Sequence, residues 1–263
     1  MSPQSKPLTT AEQVLDLEHW LESPVGQYVM AWEATRFDHM VADVFGYHAV
    51  QVGMTQLDFL RNNRIPARIL CAATGHGDAR HGDVLSMPEA LPFESGSVDL
   101  VLLPHVLEFS DNPHQVLREV ERVLVPEGQV IISGFNPVSL WGARRLFKRR
   151  RNHFPWRGQY LSVRRLKDWL KLLSFEARAG SFGVYAPPLG QEKWIERFRF
   201  MDRAGDRWWP VCGGVYMVQG IKRVQGMRLI QPKWRTGKAR VKALAPVAQR
   251  GQRVAKEYRN SND

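Results

Sequence analysis

Three polar side chains stand close to predicted buried strands, and their chemical types are suited to group transfer. His105 follows the apolar run at 98–103, and Asn136 follows a second run at 129–133. An imidazole can accept a proton or orient a substrate, and a carboxamide offers both a donor and an acceptor. Asp83 precedes both runs, where a carboxylate can accept a hydrogen bond from a ligand or cap a turn. The sequence therefore predicts a polar site beside these strands.

These residues belong to a strand–helix–strand pattern between residues 82 and 137. The nearly continuous apolar run at 98–103 is typical of a strand that is buried on both faces of a parallel sheet. Residues 111–124 carry apolar side chains at helical spacing, a PEG turn follows, and the second strand covers 129–133. Such a unit places ligands outside the carboxyl ends of its strands. The pattern predicts an α/β fold with its site at that edge.

The same stretch resembles the class I S-adenosylmethionine (SAM)-dependent methyltransferases, and among them the type 11 group. The motifs that carry the resemblance are Asp83 with LPF at 91–93, SVDLV at 97–101, HVLE at 105–108, and LREV at 117–120 continuing to PEG at 126–128. The resemblance implies a Rossmann-like, mostly parallel sheet of seven strands, with helices on both faces and an N-terminal helical cap. It also implies methyl transfer from SAM to an acceptor that the sequence does not identify.

The resemblance also implies which residues meet the cofactor and the acceptor. The expected SAM contacts are Gly53, Asp83, Val84, Leu103, Pro104 and His105. The carboxylate of Asp83 would accept a hydrogen bond from the adenine amino group, and capping of a turn is its alternative role. His105 and Asn136 are the predicted catalytic residues near the transferred methyl group. For His105, a hydrogen bond to a neighbouring backbone group is an equally open role.

Two parts of the predicted cofactor site depart from the family pattern. In the turn VQVGMTQ at 50–56, Gln51 stands where an acidic residue is usual, and Met54 and Gln56 replace further glycines. Their Cβ atoms would crowd a close approach of the backbone to a cofactor. The predicted strand at 67–73 ends in CAA, without the acidic residue that binds the ribose hydroxyls in this family. The alternative function is therefore a catalytically inactive methyltransferase fold that works as a binding protein.

The glycine-rich stretch TGHGDARHG at 74–82 is too short for the helix that usually precedes the third strand. We therefore expect a shortened crossover. Within this stretch His76 and His81 flank Asp78, which is the nearest carboxylate to the second strand. A metal ion would need further ligands at suitable spacing, and we predict no metal site.

Charge is distributed unevenly along the 263 residues, whose net charge is +11. Residues 1–143 contain 8 Lys and Arg against 18 Asp and Glu, residues 144–221 contain 17 against 6, and residues 222–263 contain 12 against 2. This asymmetry predicts an anionic partner, either nucleic acid or a membrane surface, that binds through 144–160 and 223–263. A basic tail that only aids solubility is the alternative.

Aromatic residues are interspersed in the basic stretch at 143–160, namely Phe147, Phe154, Trp156 and Tyr160. Cationic side chains mixed with aromatic rings favour single-stranded nucleic acid or anionic headgroups. The competing interpretation is that these rings cover the protein core. The acceptor of the methyl group, a small molecule or an RNA, is not identified by this pattern.

We predict three segments: a helical cap at 1–45, the α/β domain at 46–222 with its basic aromatic insertion at 143–160, and a disordered basic tail at 223–263. No apolar run approaches the roughly 20 residues that span a bilayer, and the first residues lack the apolar core of a signal peptide. Cys71 and Cys212 lie in apolar runs, which favours reduced thiols over a disulfide. The expected location is the cytoplasm.

Overall fold

The computed structural model describes residues 19–73, 82–147, 154–189 and 191–223. The chain divides into two compact units, residues 1–225 and 226–263, and every described residue belongs to the first. The elements in chain order are α1 (Pro24–Ala42), β1 (His48–Val52), β2 (Ala67–Ala73), β3 (Val84–Ser86), β4 (Val98–Pro104), α2 (Pro113–Val123), β5 (Leu124–Phe135), α3 (Leu140–Phe147), α4 (Val163–Leu172), β6 (Phe175–Gly183), α5 (Glu192–Phe198), α6 (Phe200–Trp208), a 3₁₀ helix (Pro210–Cys212) and β7 (Val215–Lys222). The predicted tail lies almost wholly outside the described residues, and the three predicted segment boundaries stay predictions.

The seven strands form one sheet in the order β3-β2-β1-β4-β5-β7-β6. The first five strands pair in parallel, whereas β7 is antiparallel to both β5 and β6. From β1 the chain builds outward first to β2 and β3, and then on the other side to β4 and β5. Strand order therefore reverses between β1 and β4, and ligands of open α/β sheets bind in the crevice at such a reversal. The predicted mostly parallel, seven-stranded sheet is confirmed.

Helices cover both faces of this sheet, as predicted. Successive side chains of a strand point to opposite faces, and the hydrophobic core divides accordingly. On β4, Leu100 and Leu102 join a buried cluster that includes α1, whereas Val101 and Leu103 join a second cluster with α2 and α4. Each such fully buried aliphatic side chain contributes about 1.5–3 kcal/mol relative to exposure in water. The fold is thus stabilised from both sides of its central strand.

Side-chain caps fix the starts of three helices. Ser23 accepts a hydrogen bond from the Gly26 N–H at 3.1 Å at the start of α1, and Pro24 follows it at the first helical position. Ser162 caps α4 in the same way, and Asn112 caps α2. No helix within the described ranges has both the length and the apolar content of a membrane-spanning helix.

The link from α2 to β5 differs from the prediction. Residues 126–128 were expected to form a turn before the strand, but β5 begins immediately after α2, at Leu124. Val98 pairs with Leu124 and Leu100 pairs with Gln129, so the extra residues form a bulge in the strand. Because Leu124 is buried in the core, it keeps its sheet pairing, and the PEG sequence is accommodated by the bulge.

Gln51 at the carboxyl end of β1 organises the turn that follows. Its buried amide nitrogen donates to the carbonyl oxygens of Gly53 at 3.2 Å, Met54 at 3.2 Å and Leu57 at 2.8 Å. Its amide oxygen accepts from the Phe59 N–H at 2.9 Å. A carboxylate has no hydrogen to donate, so the acidic residue usual in the family could not make these contacts. The glutamine is the side chain that this turn requires.

Replacement of Gln51 by glutamate tests this requirement. We expect the free energy of unfolding of Gln51→Glu to fall by at least about 2 kcal/mol, because three carbonyls lose their donor and a charge is buried. Urea unfolding at neutral pH measures the change. Gln27→Glu, the same replacement at an exposed position of α1, should change stability by less than about 0.5 kcal/mol. Equal unfolding midpoints for Gln51→Glu and the wild type would contradict the assigned role.

Candidate functional site

Two turns meet where strand order reverses. The turn after β1 contains Gly53 and Met54 with φ of 79° and 47°, and the turn after β4 contains His105 with φ of 52°. A Cβ atom placed on Gly53 would lie 3.1 Å from Cγ2 of Val106, so the turns are in direct contact. Glycine is needed at 53 both for its positive φ and for this close approach. These turns form the floor of the crevice.

The imidazole of His105 lies between two buried carboxylates. Nδ1 is 2.8 Å from Oε2 of Glu108, and Nε2 is 2.9 Å from Oε1 of Glu33 on α1. The three side chains are at most 1% exposed. The contact with Glu108 is a hydrogen bond, whereas the close contact with Glu33 is bent away from hydrogen-bond geometry and is an ion pair only. We call Glu33, His105 and Glu108 the buried ion-pair cluster.

The cluster connects three separate parts of the chain. Glu33 comes from α1, and His105 and Glu108 come from the turn after β4. The second oxygen of Glu108 accepts a hydrogen bond from the backbone N–H of Phe135 at the end of β5. The imidazole also packs against the Phe135 ring, with centroids 4.3 Å apart. The cluster thus fixes the helical cap and the two central strand ends to one another.

The charges of Glu33 and Glu108 determine the protonation state of His105. Burial disfavours the charged imidazole, but the adjacent Glu33 and Glu108 carboxylates outweigh it and raise the pKa of His105 to about 10. Burial raises the pKa of Glu108, and the pairing with His105 opposes that rise. Burial, together with the nearby Glu108 carboxylate, also raises the pKa of the Tyr160 and Tyr216 phenols. His105 is therefore protonated at neutral pH, and a protonated imidazole cannot accept a proton.

Asn136 is held by backbone groups. Its amide nitrogen donates to the carbonyl oxygens of Val211 at 2.8 Å and Gly213 at 2.9 Å, and its amide oxygen accepts from the Val138 N–H at 3.0 Å. The side chain is buried, with both amide hydrogens directed at the segment before β7. The structure therefore places Asn136 at the carboxyl end of β5, as predicted, but with its amide joining two loops. Its catalytic role stays a prediction.

Asp83 lies ahead of β3, three residues before the end of that strand. Its N–H donates to the Leu70 carbonyl at 2.8 Å, and its carboxylate accepts from the Leu70 N–H at 2.9 Å. The residue directly beyond β3 is Met87, which is 58% exposed. The structure thus brings Gly53, Pro104 and His105 together at the crevice, whereas Asp83 joins β2 to β3 lower in the sheet. The half-buried Val84 next to it lies within β3.

Two predicted site residues lie under the turn after β4. Leu103 is fully buried and belongs to the core cluster with α2 and α4, and Pro104 is also buried.

The sequence analysis missed Glu33. Val29, Glu33, Phe37 and Val41 follow one another at a spacing of four residues, and all are fully buried on α1. An acidic residue within such an apolar stripe requires a buried partner, because an unpaired charge in the core is costly. That stripe is visible in the sequence, but the partner of Glu33, which follows four strands later, is not.

The aromatic residues of the basic stretch at 143–160 are part of the core where they are described. Phe154 and Trp156 are 5% and 6% exposed, and the Tyr160 ring stacks on Phe135 with centroids 5.3 Å apart. These three rings cannot stack on nucleic acid in this conformation. The predicted anionic partner stays a prediction that rests on the basic side chains alone.

The fold agrees with that of known proteins. A family model described as a methyltransferase domain matches residues 47–132. The uncharacterized protein YafS of Escherichia coli (strain K12) is 30% identical over 178 residues, which cover 65% of this chain and 70% of that protein. A SAM-dependent methyltransferase from Archaeoglobus fulgidus has a TM-score of 0.54 at 14% identity, over 80% of this chain and 99% of that chain. The [4+2]-cyclase SpnF has a TM-score of 0.52 at 16% identity, over 84% and 100%.

A seven-stranded sheet with a reversed β7 and a crevice between β1 and β4 defines a Rossmann-like methyltransferase fold. The chain belongs to the class I SAM-dependent methyltransferase family. The solved structures support the fold alone, since one is a methyltransferase and the other a cyclase.

SAM is the cofactor that the family implies, and the described residues supply part of a site for it. Gly53 permits the tight turn at the crevice. However, β2 ends in Ala72 and Ala73 with no carboxylate for the ribose hydroxyls, and no helix lies within 53–66 to direct N–H groups at the SAM carboxylate. The described residues thus have the crevice but lack much of the usual donor set for SAM.

The predicted ribose and metal candidates cannot be placed. Asp78, His76 and His81 lie outside the described residues. Among the residues that are described, no group of His, Cys, Asp and Glu side chains could hold a metal ion. Cys71 is buried on β2, Cys212 is half-buried beside β7, and both are free thiols.

The buried ion-pair cluster predicts a distinctive pH dependence of stability. Folded His105 keeps its proton up to about pH 10, whereas an unfolded histidine releases it near pH 6.5. The stabilisation is therefore complete below about pH 6.5 and is lost as pH rises through about 10. We expect urea unfolding to show a steeper loss of stability across this window in the wild type than in His105→Gln. His39→Gln, at an exposed position of α1, should parallel the wild type. Parallel curves for His105→Gln would contradict the proton assignment.

The role of Asp83 can be separated from cofactor binding. Removing its carboxylate in Asp83→Ala leaves the Leu70 N–H unpaired, and we expect a loss of about 1 kcal/mol in unfolding free energy. Asp83→Asn keeps an acceptor oxygen and should retain most of that stability. Affinity for SAM should change less than about twofold in both variants. Lost SAM binding at unchanged stability would instead support the adenine contact.

Proposed function

We propose that this protein is a SAM-dependent methyltransferase that acts in the crevice between β1 and β4. The observation that carries the proposal is the methyltransferase-domain match over residues 47–132, because that stretch contains both strands of the crevice and both turns of its floor. The acceptor, a small molecule or an RNA, is not assigned, and the cytoplasmic location expected from the sequence stays a prediction.

In this proposal His105 is a positioning residue. Its side chain is 1% exposed and its protonated ring is neutralised by Glu33 and Glu108, so it neither touches an acceptor nor takes its proton. The ring holds the turn after β4, and with it Val106, against the turn that carries Gly53. SAM, when bound, supplies an activated methyl group. Transfer of that group is an in-line displacement, for which alignment and exclusion of water can suffice without a base.

A second candidate function is a binding protein on an inactive methyltransferase fold. Specific observations favour it: β2 lacks the ribose carboxylate, and the amide of Asn136 is fully used by backbone groups. The fold is also shared by the [4+2]-cyclase SpnF, so this architecture alone does not establish methyl transfer.

Calorimetric titration of the full chain with SAM and with S-adenosylhomocysteine separates the two candidates. We expect one molecule of each to bind with a Kd between about 1 µM and 1 mM, the usual range for enzyme substrates. Met87→Ala should weaken binding about tenfold, because an exposed thioether beyond β3 can cover the adenine ring. Leu85→Ala, at an exposed position within β3, is the matched control and should bind like the wild type.

Absence of binding heat for both ligands at millimolar concentration would reject the methyltransferase proposal and favour the inactive binding protein. Binding that is equally weakened by Leu85→Ala and Met87→Ala would reject the assigned adenine position but keep the enzyme proposal.

A further inference from the structure

Five large apolar side chains form an exposed surface that no described element covers. They are 47–73% exposed, and we call them the apolar rim: Val138, Leu140, Trp208, Trp209 and Val211. Single exposed apolar residues are ordinary, but a group of this kind marks an interaction surface. Two adjacent tryptophans at 73% and 49% exposure are a large part of it.

The members of the rim come from two chain segments that one side chain holds side by side. The Asn136 amide nitrogen lies 3.3 Å from the carbonyl oxygen of Val138 and 2.8 Å from that of Val211. Leu140 starts α3 just beyond Val138, and the two tryptophans end α6 just before Val211. The Asn136 side chain therefore joins the two backbone segments that carry the rim.

The rim lies at the same edge of the sheet as the crevice. Asn136 directly follows the carboxyl end of β5, and Phe135 pairs with Val215 at the start of β7. β5 in turn pairs with β4, whose carboxyl end leads into the turn with His105. A surface that binds the rim would therefore face the edge on which the crevice opens.

Basic side chains accompany the apolar ones. On α6 the exposed residues include Phe200, Arg203 and Arg207, and within the described residues neither arginine forms an ion pair. The acidic residue of the first turn, Asp202, is engaged by the Tyr28 hydroxyl. The exposed charged residues of α6 are thus Arg203, Asp206 and Arg207, so its exposed side chains carry one more cation than anion beside the Phe200 ring.

We propose that the apolar rim docks this protein on an anionic lipid surface. Tryptophan side chains favour the boundary between headgroups and acyl chains, and arginines beside them are attracted to anionic headgroups. Projecting aromatic side chains flanked by free cations match a fluid, negatively charged surface, which needs no complementary pocket. Because the rim and the crevice share an edge, docking would turn the crevice toward the lipid.

Sedimentation of the full chain with vesicles tests the proposal. We expect binding to phosphatidylcholine vesicles that contain phosphatidylglycerol, much weaker binding to phosphatidylcholine alone, and a blue shift of tryptophan fluorescence on binding. The double variant Trp208→Ala, Trp209→Ala should partition at least about tenfold less. Tyr47→Ala, which removes a 76% exposed aromatic ring ahead of β1 at the opposite edge, is the matched control and should bind like the wild type.

A second variant tests the same surface independently, in case the tryptophan variant does not fold. Arg203→Ser with Arg207→Ser changes only exposed side chains, and it should also reduce binding to the anionic vesicles at least about tenfold while the thermal unfolding midpoint is kept.

Three results would overturn the proposal. The first is full vesicle binding by both double variants. The second is loss of binding only when residues 226–263 are removed, which would assign the effect to the basic tail. The third is binding of single-stranded RNA, but not of vesicles, by the wild type, with RNA binding reduced in the two double variants. That result would make the rim a nucleic-acid site.

Discussion

A protonated histidine enclosed by two carboxylates is the interaction on which the arrangement of the crevice depends. His105 holds Glu33 on α1 and Glu108 in its own turn, and Glu108 reaches the backbone of β5. Removing one partner of a buried pair typically costs about 3–5 kcal/mol, because the remaining charge is left without compensation. The stabilising effect of each of the three charged groups therefore depends on the presence of the other two. This coupling fixes the turn after β4 at the centre of the sheet, although His105 in that turn has a positive φ.

Gln51 performs a related task on the other side of the crevice. The turn after β1 directs carbonyl oxygens inward, and only a donor such as a carboxamide can satisfy them. The departure from the family's acidic residue is thus a change of local structure, not simply a loss. The same turn continues without a helix, so the backbone groups that would face a cofactor are arranged differently from the family pattern.

The sequence was sufficient for the fold because its signals are local. Apolar runs predict the two central strands, and apolar residues at helical spacing predict the helix between them. It was insufficient for the site, because side-chain partners depend on tertiary contacts. No spacing rule joins Glu33 to His105, and no local pattern shows that the Asp83 carboxylate accepts from the Leu70 N–H. The PEG sequence after α2 predicts a turn, whereas a bulge depends on the register of the neighbouring strand and leaves no local signal.

The position of Glu33 on α1 has a consequence for motion. α1 cannot move away from the sheet without separating a buried carboxylate from a buried imidazolium. Water admitted by such an opening would let the imidazole approach its ordinary acidity and release its proton above neutral pH. Opening of the cap is therefore coupled to proton exchange with solvent, and a rise in pH would favour the open form. The position of α1 is thus linked to acidity through an ion pair that is fully buried in the closed form.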